Sequence, residues 1–300
     1  LEEGDTIVDG GNSLFSDTQR RTVAVAKHGI NYIGLGVSGG EEGALHGPSL
    51  MAGEFRTQNS AFRISLKGLL EKIAAKDFQG SPCLGWFEGA GSGHYVKMVH
   101  NGIEYAIMQL IAETYQLFRK AYGFDAGKIG SVFAEWQKGK LNSYLIDITS
   151  KVLQKKDDLS EGFLIDKIKD AAGQKGTGQW TVQDAFSRGV PVPSIVAAVE
   201  ARQISSFRSA RMSLAELYPL SSKVPTLPPI ESLETMLFSA IVLCYIQGVT
   251  LIASTAREQG WAIDLSEVIR IWQGGCIIRA TLLNDIAIWV KEAGKYPHLL

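Results

Sequence analysis

Residues 123–148, GFDAGKIGSVFAEWQKGKLNSYLIDI, are echoed by residues 260–286, GWAIDLSEVIRIWQGGCIIRATLLNDI. Trp136-Gln137 matches Trp272-Gln273, and Asp147-Ile148 comes close to Asp285-Ile286. Each copy follows a long apolar segment of helical character. A repeated unit of one long helix and shorter ones cannot cover its apolar face alone, so it stacks on its copy. The chain after Gly89 is therefore expected to be all-α. The pattern predicts helices near 93–122, 126–138, 142–156, 161–171, 179–188, 193–217, 231–259, 264–273 and 278–293. Pro225, Pro228 and Pro229 mark a long loop.

Before Gly89 the pattern differs. TIVDGG, INYIGLGV, PSLMAG and SPCLGWF read as short strands, and residues 17–28 and 59–75 as helices. Such alternation predicts a parallel α/β sheet. The chain opens without a methionine on LEEGDTIVDGG, which reads as the middle of a domain. An N-terminal truncation is expected. The division falls at 1–88, the later part of an α/β domain, and 89–300, a helical domain.

The first long helix carries an anomaly. In GHYVKMVHNGIEYAIMQL, the residues Lys97, His100, Asn101, Glu104 and Tyr105 stand at i, i+3, i+4, i+7 and i+8 and share one face. Their neighbours Met98, Val99, Ile103, Ile107 and Met108 are apolar, so this is no solvated side. An offset of 136 maps the five onto Leu233, Met236, Leu237, Ala240 and Ile241 in the second copy; 137 gives Glu234, Leu237, Phe238, Ile241 and Val242. The scaffold needs no polar stripe there. A buried packing network is the bland alternative, and a site is the sharper one.

Two glycine motifs call for weighing. Gly34-Leu35-Gly36-Val37-Ser38-Gly39 fits G-x-G-x-x-G after a strand, but Gly40 to Pro48 reads as loop. Without a helix opening in the motif, the dinucleotide fingerprint is incomplete. Exposed N–H groups around Ser38, Gly39 and Gly40 still suit a carboxylate or hydroxyls. Gly173-Gln174-Lys175-Gly176-Thr177-Gly178 misses the P-loop pattern, with Gln179 and Trp180 following. Lys175 there reads first as a solvated loop lysine, with a phosphate held by its point charge as the alternative. Arg202, alone on a helix, reads as a surface residue.

A net charge of −1 gives no basic face for nucleic acid. The cysteines Cys83, Cys244 and Cys276 are far apart, suit a reducing compartment such as the cytoplasm, and have no metal-ligand spacing. No metal is expected. Residues 235–256 carry no charge and have the length of a membrane span. Gln247 near the middle and several hydroxyl residues favour a buried core helix instead.

Taken together, GVSGGEEGALHGPSLM, GHYVKMVHNGIEY, GQKGTGQWT, IWQGGCIIR and Asp9-Gly10-Gly11-Asn12-Ser13 resemble the signature segments of the decarboxylating 6-phosphogluconate dehydrogenases. The resemblance runs over nearly the whole chain in the family's order. It implies an α/β remnant of a Rossmann-like coenzyme domain, followed by a large all-α domain with an internal helical repeat. It implies NADP as cofactor, 6-phosphogluconate as substrate, and a homodimer.

Carried over residue by residue, Lys97 resembles the general base and Glu104 the general acid. Ser38, Gly39, Gly40, His100 and Asn101 resemble the groups on the sugar acid's carboxylate and hydroxyls. Tyr105, Lys175 and Arg202 resemble phosphate contacts, and Asn12 a residue that touches nicotinamide and substrate. Ala106-Ile107, Gln179 and Leu45-His46 depart from the family's common Gly-Asp, Lys and Arg-Tyr. The arginine and histidine of the family's tail are not recognisable before Leu300. The competing expectations are a non-decarboxylating β-hydroxyacid dehydrogenase and a non-catalytic helical dimerisation module.

Overall fold

The structure is a computed structural model that describes residues 1–54, 60–218 and 227–292. Its first part holds β1 (Thr6–Asp9), α1 (Phe15–Ala26), β2 (Asn31–Ser38), α2 (Gly40–His46), β3 (Ser49–Glu54), α3 (Ser60–Ile73) and β4 (Leu84–Glu88). The four strands form one sheet in the order β1-β2-β3-β4. β1 pairs with β2 and β3 with β4 in parallel, but β2 and β3 are antiparallel. This corrects the expectation of a wholly parallel sheet. A parallel return needs a dozen or more connecting residues. The stretch between Ser38 and Ser49 is too short, so the chain turns straight back.

That stretch also corrects the reading of Gly40 to Pro48 as loop, since α2 occupies most of it. Gly39 (φ 147°) and Gly40 (φ 57°) break the strand in a conformation that side chains rarely adopt. Glu41 and Glu42 then stand in the first turn, where the helix dipole favours them. Gly47, at φ 103°, ends the helix before Pro48.

The sheet has two working faces. Ile33 and Leu35 of β2 pack with Leu50, Ala52, Leu70, Ala74 and Leu84 beneath α3. Gly34, Gly36 and Ser38 point the other way, towards the first long helix, as the period of two requires.

That helix is α4 (Ser92–Lys120), followed by α5 (Ala126–Trp136), α6 (Tyr144–Gln154), a 3₁₀ turn (Leu164–Lys167), α7 (Thr177–Ser187), α8 (Pro193–Ser206), α9 (Arg208–Leu217), α10 (Ile230–Gln259), α11 (Leu265–Ile271) and α12 (Leu283–Glu292). The repeat is α4-α5-α6 against α10-α11-α12. Both second helices start on an aspartate: Asp125 accepts from Lys128 N and Asp264 from Ser266 N. α4 packs on α10 at Gly248, where a Cβ would fall 2.4 Å from Ile103. The two copies also join through backbone: Tyr144 N donates to Arg279 O and Thr281 N to Asn142 O, each at 3.0 Å.

Three helix expectations are corrected. Residues 161–171 hold only the 3₁₀ turn, because Leu164 N pairs with Lys155 O and Asp157 N with Gly162 O. The expected 193–217 helix breaks at Phe207 (φ −82°, ψ 46°). Just before it, the Ser205 and Ser206 hydroxyls bond back to Arg202 O and Gln203 O, competing with the helical ladder. The 278–293 helix starts only at Leu283, since residues 279–281 pair with the other copy. The start of the expected 59–75 helix, Pro225 of the proline loop and the final segment from Ala293 fall outside the described residues.

α10 is long and apolar enough to cross a membrane by length and composition alone. It packs on α4 at Gly248, and its Leu237, Ile241, Cys244, Tyr245 and Leu251 are buried in the protein. Its mid-helix Gln247 is satisfied within the protein: it accepts from Ser194 N and donates to Ser194 Oγ, both at 3.0 Å.

Candidate active site on α4

The first turns of α4 lie directly on the sheet, and glycines make the space. A Cβ at Gly34 would fall 2.8 Å from His94 Nδ1, and one at Gly36 would fall 2.5 Å from Lys97 Cβ. At Gly53 it would meet Gly93 N at 2.3 Å. The next residue on that face of β2, Ser38, hydrogen-bonds His100 at 3.1 Å. Gly34, Gly36 and Ser38 of the strand thus face His94, Lys97 and His100 of the helix. The glycine pattern is a set of seats for helix side chains. α2 does open within it, but between antiparallel strands, which is not the parallel βαβ unit of a dinucleotide fold.

On the far side, α7 crosses α4. A Cβ at Gly102 would fall 2.7 Å from Thr181, and one at Gly178 would fall 2.6 Å from the Tyr105 ring. Thr181 Oγ1 donates to Met98 O at 2.9 Å. The loop with Lys175 therefore runs into the stripe. Asn101 Nδ2 donates to Thr177 Oγ1 at 3.1 Å, a partner that the sequence reading missed.

The polar groups form one connected cluster. Lys97, His100 and Asn101 are buried. Lys97 Nζ donates to Asn101 Oδ1 at 2.7 Å and lies 3.4 Å from His100 Nδ1. Asn101 Oδ1 also accepts from His100 Nδ1 at 3.1 Å, which leaves His100 Nε2 to accept from the Ser38 hydroxyl. Glu104 Oε2 lies 3.9 Å from His100 Nδ1, with 22% of its side chain exposed. Beyond it, the Arg202 guanidinium stacks on the Tyr105 ring at 3.8 Å and donates to Gly173 O at 3.2 Å.

Arg202 is thus no isolated surface cation. Lys175 is exposed on the same loop. Gly39 and Gly40 follow Ser38; a Cβ on Gly39 would strike Gly275 O at 2.6 Å, so the second copy's WQGG turn supports the first copy's site. Asn12 is exposed on the turn after β1.

Electrostatics push the ionisable members towards their neutral forms. Burial lowers the Lys97 pKa to about 8, against the pull of Glu104 and Cys276. Burial raises the Glu104 carboxyl, while Lys97 and Arg202 oppose it. Burial, helped by Lys97, drops His100 well below its ordinary value. Above about pH 8 Lys97 becomes an amine able to accept a proton, and a raised carboxyl keeps its proton to higher pH than an ordinary one. Among the described residues, no group of three or more His, Cys, Asp or Glu side chains could hold a metal ion.

The lysine has a stability signature. The unfolded chain keeps the Lys97 proton up to the ordinary value of 10.5, the folded chain only up to about 8. Between these values the unfolded state binds more protons, so stability rises with pH. Below about 8 the folded state carries the full cost of a buried ammonium. Lys97→Met, similar in length, should therefore stabilise the chain at pH 7 by roughly 1–3 kcal/mol. The gain should shrink as pH rises from about 8 towards 10.5. Denaturant melts at both ends of that range read it directly; a variant no more stable than wild type at pH 7 contradicts the assignment.

Comparison with known proteins matches the same architecture. A family model described as the C-terminal domain of 6-phosphogluconate dehydrogenase covers residues 93–300, and one for the NAD binding domain of the same enzyme covers residues 1–85. The chain belongs to the 6-phosphogluconate dehydrogenase family. A decarboxylating 6-phosphogluconate dehydrogenase of Lactococcus lactis subsp. lactis is 44% identical over all of this chain and 64% of its own length. One from Schizosaccharomyces pombe is 46% identical, with 61% of its length covered. The Plasmodium falciparum 6-phosphogluconate dehydrogenase, solved apo, with its cofactor NADP+ and with its substrate 6-phosphogluconate, superposes with a TM-score of 0.89. It is 39% identical and covers 100% of this chain and 63% of its own. The chain thus spans less than two thirds of the length of these 6-phosphogluconate dehydrogenases.

Proposed function

We propose that the protein serves oxidative decarboxylation of 6-phosphogluconate to ribulose 5-phosphate and CO2 with NADP+, as a homodimer in the cytoplasm. The observation that carries this reading is the pair on α4: a buried lysine whose pKa falls to about 8 and a carboxyl raised by burial, seven residues apart on one face. That separation is about 10 Å by helix rise, a span that long side chains close over one bound sugar acid.

In this reading neutral Lys97 takes the proton from the C3 hydroxyl as that carbon is oxidised. The resulting β-keto acid loses CO2 because its ketone accepts the electron pair. Glu104 then supplies the proton that C1 needs. Ser38, the N–H groups of Gly39 and Gly40, His100 and Asn101 hold the carboxylate and hydroxyls. Tyr105, Arg202 and Lys175 hold the phosphate end. Asn12 suits the nicotinamide end, because it stands exposed on the turn at the carboxyl end of β1. When bound, NADP+ supplies the hydride acceptor.

The coenzyme part is assigned to residues 1–88 and the substrate and dimerisation part to 89–300. β4 ends at Glu88 and α4 starts at Ser92, which supports that division. Apolar side chains exposed on α10 (Met236, Leu243) and α12 (Ile288, Trp289) suit a second copy. Nucleic acid and membrane are no part of the reading: the net charge is −1, and α10 buries Leu237, Ile241, Cys244, Tyr245 and Leu251 within the protein.

The test is ligand-induced stabilisation. 6-Phosphogluconate should raise the melting temperature of this chain without coenzyme, and gluconate should do so less. A hundredfold excess over Kd is worth about 2.7 kcal/mol. No shift at millimolar 6-phosphogluconate, or equal shifts by both acids, contradicts the assignment and favours a non-catalytic helical module.

A further inference from the structure

His94 lies one turn before Lys97 on the same face of α4, fully buried, and none of the roles above uses it. Its Nε2 lies 3.0 Å from the carbonyl oxygen of Asp9, a group that only accepts, so Nε2 carries the hydrogen. Its Nδ1 then accepts from the Thr18 hydroxyl at 2.7 Å. Burial lowers the imidazole pKa, consistent with this neutral form. One ring therefore ties α4 to both the end of β1 and the helix that follows it.

What hangs on Asp9 is the turn Gly10-Gly11-Asn12-Ser13. The Asp9 carboxylate accepts from Gly11 N at 3.0 Å, from Ser13 Oγ at 2.7 Å and from Tyr32 OH at 2.6 Å. Those bonds set the turn's internal shape. They do not fix it relative to α4. The His94 ring reaches across to the turn, beside the Phe15–Tyr95 edge contact that holds the start of α1, and together with Thr18 it fills the place of a Gly34 Cβ.

We propose that His94 is a positioning residue: it pins the turn that carries Asn12 to the helix that carries Lys97. This rests on the reading in which Asn12 and Lys97 serve the two sides of one reaction. The ring touches neither substrate nor coenzyme in that reading; it sets the register between the groups that do.

The experiment compares the wild-type chain with His94→Phe, which fills the site without a donor, and His94→Gln, which restores an N–H at similar reach. Backbone order parameters are measured for Gly10, Gly11, Asn12 and Ser13 and, as a control, for Val99 and Ile103. In wild type the turn should be rigid, at about 0.85, and the imidazole should show one protonated nitrogen, Nε2. In His94→Phe the turn should fall below about 0.6 with the control amides unchanged, and His94→Gln should restore it.

An unchanged turn in His94→Phe overturns the proposal. So does loosening of the control amides to the same degree, which marks a merely structural side chain, and so does failure of Gln to rescue. The outcome is independent of 6-phosphogluconate binding, so loss of the functional reading and loss of this inference are told apart.

Discussion

Lys97→Met, placed in a form of the protein extended to the length of its relatives, is expected to slow the oxidation step by about 10²–10⁴-fold. The neutral amine that takes the hydroxyl proton is gone, and methionine fills its volume without replacing it. Glu104→Gln should behave differently, because Glu104 acts after oxidation in the proposed sequence. A single turnover of that variant should give early NADPH and delayed ribulose 5-phosphate. The unaltered enzyme should lose oxidation rate as pH falls through about 8, where Lys97 takes up its proton. Normal oxidation in Lys97→Met, or failure of both variants at the same step, would show that the stripe is a clamp or a packing network.

The 300-residue chain itself is expected not to reduce NADP+. Among the described residues, β1–α1–β2 is a parallel βαβ unit, but its turn reads Asp9-Gly10-Gly11-Asn12-Ser13-Leu14. It lacks G-x-G-x-x-G, the glycine pattern that lets a backbone turn and helix start approach a pyrophosphate. The Gly34–Gly39 motif opens onto seven-residue α2 between antiparallel strands. Without a held nicotinamide the orientation contribution is lost, roughly 7–11 kcal/mol. Substrate-dependent NADPH formation by the purified chain, followed by absorbance, would sink this expectation.

The sequence carried the repeat, the helical half and the stripe clearly, because all three are written in periodicity. Lys97 to Tyr105 could be put on one face from spacing alone, and the apolar second copy showed that the face was special. What escaped notice depends on contacts between distant segments. α2 was hidden because Gly39 and Gly40 look like loop residues until their positive φ angles are seen to start a helix. The antiparallel pairing of β2 and β3 followed from that short connection.

His94 stands three residues before Lys97 and was available to the same face argument. Its role depends on Gly34 and Gly36 being seats for α4, which a glycine pattern alone does not distinguish from a ligand-binding loop. Thr177 belongs to the glycine loop, and nothing local says that α7 crosses α4 there.

The bridge between the two copies also bears on how the molecule comes off the ribosome. α4 begins at Ser92 and its packing partner α10 at Ile230, 138 residues later by subtraction. At synthesis rates of about 5–20 residues per second, α4 emerges roughly 7–28 s before α10 can reach it. During that interval Val99 and Ile103, which finally rest against Gly248, have no helix to lie on. The nascent chain thus carries its prospective reaction centre as an unfinished surface, a natural client for chaperones, until α10 has been made.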